Sequence, residues 1–159
     1  MGLTGTKVLW LFFFATVLIS VLFPIATTYW QLTLLDGISS PAEARRIVEA
    51  FTPHQRNVHA WITATLDVAY PLAYGGFFIG SALRVFKRHG HYLALPGLLV
   101  IPTDLIEGVV QVLALTGTAD WLALKAVVTP AKTVLFACGI AVTAIAWSKW
   151  LYRRRMDKS

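Results

Sequence analysis

Charged residues are absent from positions 8–28, and the apolar runs at 60–83, 92–115 and 121–147 hold only one or two each. At about 1.5 Å of rise per residue, each run is long enough as a helix to cross a hydrocarbon core of roughly 30 Å. The pattern predicts four membrane spans. Aromatic rings fall at their ends: Tyr29 and Trp30 after the first, Trp61 opening the second, Trp121 opening the fourth, and Trp147 and Trp150 closing it. Such rings prefer the headgroup layer, with the apolar body in lipid and the polar edge in water. The turns Lys87-Arg88-His89-Gly90 and Thr116-Gly117-Thr118-Ala119-Asp120 are short, which makes spans two to four antiparallel neighbours. The predicted fold is all-α: an up-and-down four-helix transmembrane bundle forming one integral membrane domain over residues 1–159.

The first connection, about 31–57, is the longest stretch outside the spans. Within it Ser40-Pro41-Ala42-Glu43 reads as a capping box with proline at the first helical position, which predicts a short interfacial helix over about 41–51. Ile47, Val48 and Phe51 share one face of it, away from Arg45, Arg46 and Glu49, so the helix rests on the membrane surface or on the bundle mouth. There it is either a connector or a lid over a cavity. No internal repeat or low-complexity tract is visible.

Composition supports the spans: 14% charged residues is well below the quarter typical of soluble domains. The net charge of +6 is sorted by side. Lys7, Arg84, Lys87, Arg88, Lys149, Arg153, Arg154, Arg155 and Lys158, opposed only by Asp157, lie in the N-terminus, the second connection and the C-terminal tail. The first and third connections set Arg45, Arg46 and Arg56 against Asp36, Glu43, Glu49 and Asp120. Basic short loops mark the cytoplasmic side, so both termini are expected there, and the basic tail reads as topology and lipid contact with no nucleic-acid partner. The first run is longer than a signal-peptide core and reads as a retained helix. Cys138 is the only cysteine, so no internal disulfide forms.

Five ionisable residues remain inside the spans: Asp67, Asp104, Glu107, Lys125 and Lys132. Each costs roughly 2.5 to 3.5 kcal/mol at a helix centre and so requires a partner. Helical spacing supplies one polar stripe per span: Asp67, Tyr70 or Pro71, and Tyr74 on the second; Asp104, Glu107, Gly108 and Gln111 on the third; Lys125, Thr129 and Lys132 on the fourth. Counting rise from the outer boundary puts Asp67 at a depth of roughly 10 Å, Glu107 about 12 Å, Lys125 about 6 Å, and Asp104 and Lys132 near ~17 Å. That register pairs Lys132 with Asp104 and Lys125 with Glu107. One carboxyl is left over, to be protonated or to hydrogen-bond Tyr70, Tyr74 or a bound water.

Pro71, Pro102 and Pro130 lie near the same level, and each frees a carbonyl four residues earlier. Backbone of that kind is tolerated in membranes where it lines protein or a wet cavity. The expectation is a polar pocket in the outer half of the bundle, opening outward, with Gly76 and Gly80 allowing a close helix approach below it. His54, His59, His89 and His91 divide between the two sides and form no single metal or haem site, so neither metal nor cofactor is expected. His54 and His59, with Arg56, border the expected pocket mouth and could meet an anionic headgroup. No phosphate loop, nucleophile elbow or Cys-His pair is present.

Leu35-Asp36-Gly37, the capped helix through Glu43-Ala44, Arg56, and Leu66-Asp67-Val68-Ala69-Tyr70-Pro71-Leu72-Ala73-Tyr74-Gly75 together resemble a group of uncharacterised bacterial four-span membrane proteins. Asp104 and Glu107 match an acidic pair that the group carries in span three, while Gly108 stands where the group commonly has Asn. The resemblance implies a bacterial inner-membrane location and no particular activity. The residues themselves suggest three function classes. The first is a pocket that takes an amphiphile, of lipid, terpenoid or sterol-like character, from the outer leaflet. There Asp67, Asp104 and Glu107 would act as the acid–base groups of an isomerase or cyclase. Tyr70, Tyr74, Gln111, Lys125, Thr129 and Lys132 would contact the ligand. The second is proton-coupled transport, which four spans without a repeat would carry out as a homo-oligomer. The third is an assembly subunit whose charges hold helices together and whose Gly76/Gly80 face docks a partner.

Overall fold

The computed structural model describes residues 3–156; Asp157 and Lys158, counted above with the basic tail, lie outside the described residues. The elements are α1 (Thr6–Trp30), α2 (Pro41–Ala50), α3 (Pro53–Phe86), α4 (Gly90–Leu93), α5 (Leu95–Thr116) and α6 (Lys125–Met156), with single 3-10 turns at Lys87–His89 and Leu122–Leu124. No strand occurs among the described residues. α1, α3, α4 with α5, and the Leu122–Met156 segment are each long and apolar enough to cross a membrane. Their outward faces carry Leu11, Phe14, Leu18, Ile25, Val127, Val134 and Ile145, all exposed. An apolar surface of that extent needs lipid around it. The chain is a multi-pass membrane protein built as a four-helix bundle.

Several helices start or end beyond the apolar runs. α3 begins at Pro53, well before position 60, because Thr52 and Gln55 form a second capping box: Gln55 N–H donates to Thr52 Oγ1 at 3.2 Å, and Thr52 N–H to Gln55 Oε1 at 3.0 Å. α6 begins only at Lys125, after the 3-10 turn, and continues to Met156 through the basic tail. An apolar run measures hydrocarbon thickness, whereas caps decide where a helix starts. α2 starts where expected, with Ser40 accepting from the Glu43 N–H at 3.4 Å and Pro41 in its first turn. Phe51 is its C-cap.

α2 docks on the end of the bundle that holds the first and third connections, here termed the loop end. Its Ala44 and Val48, with Phe51, join Leu32, Leu35, Val110, Leu115 and Leu122 in one buried cluster. Arg45 and Asp120 pair above it at 2.6 Å, and the guanidinium holds the Asp120 carboxyl below the usual carboxylate range. Arg56 donates to the Glu49 carbonyl in the last turn of α2, joining the start of α3 to it.

The two ends of α1 are fixed differently. After Trp30 the chain turns at Gln31, in the left-handed region at φ 51°, and drops Leu32 and Leu35 into the loop-end cluster. Toward the terminal end α1 lies against α3 at Gly76 and Gly80. A Cβ on Gly76 would meet the Phe12 ring at 2.8 Å, and one on Gly80 would meet the Leu3 carbonyl at 2.8 Å. The close helix approach expected of this pair is therefore made by α1. The face offered above for an assembly partner is occupied by the chain itself, which corrects that expectation. Along its length α1 packs on α3, with no extended contact to α5 or α6 among the described residues. It meets α6 through Trp10 and Trp147, whose rings are 6.0 Å apart near the terminal end.

Gly80→Val is predicted to destabilise the bundle by about 1–3 kcal/mol, because the added side chain meets the Leu9 side chain of α1 and the Leu3 carbonyl just before it. Reversible unfolding in detergent measures this, and an unchanged midpoint contradicts the α1–α3 contact.

Candidate functional site

The helical period turns nine side chains of the polar stripes inward. Asp67, Tyr74, Asp104, Glu107, Gln111, Lys125 and Thr129 are buried, Tyr70 and Lys132 half-buried. Glu107 is at the centre and completely enclosed. Its carboxylate forms ion pairs with both Lys125 and Lys132, and accepts from Thr129 Oγ1 at 2.6 Å. The pairing of Lys125 with Glu107 and of Lys132 with Asp104, at 3.0 Å, follows the register expected from the rise per residue. Two lysines on one carboxylate is the unexpected part.

The second surprise is Asp36. Placed by sequence among the loop charges, its carboxylate enters the bundle and accepts from Lys132 Nζ at 3.1 Å and from Gln111 Nε2 at 3.2 Å. The local reason is visible on either side of it: Leu35 is fully buried, and Gly37 at φ 77° lets the chain reverse directly afterwards. The signal in the sequence was an acid held between a run of leucines (Leu32, Leu34, Leu35) and a turn glycine.

With Asp36 included, four carboxylates surround two ammonium groups. An ammonium has three N–H donors, and three carboxylates (Asp36, Asp104 and Glu107) already ring Lys132. Asp104 is satisfied on both oxygens, since Tyr74 donates its O–H to Oδ2 at 2.6 Å. Asp67 is the acid left over. It is only 7% exposed, and neither oxygen has a hydrogen-bond or ion-pair partner among the described residues. The tyrosines expected as its partners are engaged elsewhere, Tyr74 with Asp104 and Tyr70 with Ser20 at 3.0 Å. On its far side stands Gly108, where a Cβ would lie 3.5 Å from Asp67 Oδ2.

Asp67 borders a cavity of about 450 Å³. Asp36, Asp104, Lys132, Tyr70 and Tyr74 line it too, and the rest of the wall comes from α1 (Ser20, Phe23, Pro24), Leu34 of the first connection and α6 (Thr133, Phe136). The cavity thus lies against α3 in the space between α1 and α6, which do not pack on each other along their length. Above it the loop-end cluster is closed, and below it Tyr74, Phe78 and Val100 close the interior together with Phe77, Leu135 and Phe136. α2 contributes no residue to the wall, and the part of the first connection that does is Leu34 and Asp36.

The candidate residues therefore divide into two sets. Asp67, Asp104, Tyr70, Tyr74 and Lys132 face the cavity, whereas Glu107, Gln111, Lys125 and Thr129 lie behind it. Ser20, Phe23, Thr133 and Phe136 are cavity residues that the polar stripes could not single out. His59 is another correction. Expected near headgroups at a mouth, it is 0% exposed, against the Phe51 ring at 5.6 Å, with neither ring nitrogen hydrogen-bonded among the described residues. His54 is exposed and packs edge-on to Trp30. As to metals, one oxygen each from Asp36, Asp67 and Asp104 lie within 4.8 Å of one another, a hard-oxygen set into which the Lys132 ammonium already projects. Comparison with protein-family models, with curated proteins and with solved structures gives no match, so the site is read from its own geometry.

Glu107→Gln leaves Lys125, 0% exposed, without its counter-charge and is predicted to destabilise by roughly 3–5 kcal/mol. The double variant Glu107→Gln, Lys125→Met recovers most of that. Unfolding of both variants in detergent checks it; a mild effect of Glu107→Gln alone contradicts the pairing.

Proposed function

We propose that the chain binds, and by acid–base chemistry transforms, an amphiphile that enters from the bilayer between α1 and α6. The reading rests on one observation: Asp67, an unpartnered buried carboxyl, borders a cavity whose other walls are largely apolar. Glu107 is held by two lysines and a threonine, so its role is to keep α5 and α6 in register. Asp67 is the group free to exchange a proton. Beside it, with an oxygen within 4.8 Å, Asp104 is fixed by Lys132 and Tyr74, which makes it a positioned second carboxyl. Two carboxyls at one apolar cavity suit an isomerisation or cyclisation, in which a proton given at one atom and removed at another leaves no other reactant consumed. A terpenoid or sterol-like body would occupy the space between α1 and α6, and the loop end would face outward in a bacterial inner membrane.

Proton-coupled transport has less support. A relay across the membrane needs titratable groups or water along its whole length, and on the terminal side of Tyr74 the interior is filled by Phe77, Phe78, Val100, Leu135 and Phe136.

Protein isolated in mild detergent is predicted to carry a stoichiometric amphiphile, identified by untargeted lipidomics. Asp67→Asn and Ser20→Trp, the second filling the cavity from an exposed position, reduce that species at least ~10-fold while unfolding midpoints stay near wild type. Wild-type protein with nothing enriched over bulk lipid, or folded variants with unchanged retention, overturns the reading.

A further inference from the structure

The charges around the cavity do not balance. Counted as carboxylates, Asp36, Asp67, Asp104 and Glu107 outnumber Lys125 and Lys132, the lysines that face them among the described residues, in a region flanked by two apolar clusters. Low-dielectric surroundings oppose uncompensated charge, so this side of the cavity favours an added positive group over a neutral or negative one. The acceptor that awaits it is specific. Asp67 has no donor, and the donors that line the cavity with it are engaged: Lys132 by three carboxylates, Tyr74 by Asp104, Tyr70 at Ser20.

The walls next to Asp67 are aromatic. Phe23 meets Tyr70 at 5.8 Å, Tyr70 meets Tyr74 at 5.0 Å, and Tyr74 meets Phe136 at 4.9 Å, each pair edge to face. This chain of rings runs from α1 through α3 to α6 along the cavity. Ring faces attract cations, most strongly where water is excluded, and a carboxylate beside aromatic rings is the recognition chemistry of organic ammonium groups. A bare divalent ion fits less well. It would meet the Lys132 ammonium among the same carboxylates, and it would make no use of the rings or of the roughly 450 Å³ of space.

We infer that the amphiphile's head is an N–H-bearing ammonium that donates to Asp67 and lies against Tyr70 and Tyr74, with its apolar body extending past Phe23 and Phe136 into the gap between α1 and α6. The inference rests on the pocket reading above and specifies its ligand class. The shared chemistry is a protonated amine on an apolar chain, supplied either by a free lipophilic amine or by a lipid with an aminoethyl head.

The test compares three probes of one chain length, dodecylamine, dodecanol and dodecanoate, at neutral pH with protein in a maltoside detergent, whose head is uncharged. The expected result is saturable binding of the amine at one per chain, with the alcohol and the carboxylate at least ~10-fold weaker. Asp67→Asn weakens the amine at least ~10-fold and brings it level with the alcohol, and Ser20→Trp abolishes it. Displacement of the amine by phosphatidylethanolamine supports the inference with a lipid head as the source; displacement by free amines alone supports it with a lipophilic amine. Equal binding of all three probes, blocked by Ser20→Trp, overturns the ammonium preference and leaves the pocket standing. No saturable binding of any probe overturns both. One Mn²⁺ bound per chain and lost in Asp67→Asn, with no amine bound, overturns the inference in favour of a metal.

Discussion

A carboxylate with two ammonium groups, sealed inside an apolar bundle, constrains everything around it. Glu107 and Lys125 are both fully enclosed, so each needs the other as a counter-charge. Such pairs contribute little net stability compared with well-packed apolar residues, yet removing one partner is costly. What they fix is register. α5 and α6 must meet at the height where Glu107 reaches Lys125 and Lys132, and Thr129 locks the same oxygen from one turn away from Lys125. The positions of Asp104 and Tyr74 follow, because Lys132 ties the first and the first accepts from the second.

Beyond that centre the bundle is asymmetric. α3 is the helix on which the other spans assemble, and α1 packs along it alone. Glycines at 76 and 80 bring α1 close near the terminal end, where Trp10 also meets Trp147. Nearer the loop end, Ser20, Phe23 and Pro24 of α1 face Lys132, Thr133 and Phe136 of α6 across the cavity. The cavity is thus created by where a helix is held, and the polar groups at its base are held by the pairs behind them.

Much of this was legible in the residues. Spans follow from apolar runs, and the polar stripes and their pairings follow from a rise and a period that hydrocarbon surroundings leave little freedom to violate. Lys132 with Asp104 and Lys125 with Glu107 were readable for that reason. Asp36 was not, since a loop acid has no period, and only the burial of Leu35 and the turn at Gly37 bring it inside. Nor was the place of the cavity: α1 is held close at Gly76 and Gly80 and by the Trp10 to Trp147 contact, and no polar stripe encodes it. The early start of α3 was present in Thr52-Pro53-His54-Gln55 but hidden by the expectation that a span begins with its apolar run.

The convergence of three acids, from the first connection and α5, on one lysine is most directly tested by solid-state NMR of the protein in lipid bilayers. Dipolar dephasing between the lysine ¹⁵Nζ and carboxyl ¹³C nuclei measures it, with Lys132→Arg assigning the signal. The expected result is a Lys132 ammonium in direct contact with aspartate and glutamate carboxyl carbons together and protected from exchange with water. A Lys132 signal that shows no carboxyl carbon in contact, or that exchanges freely with solvent, contradicts it.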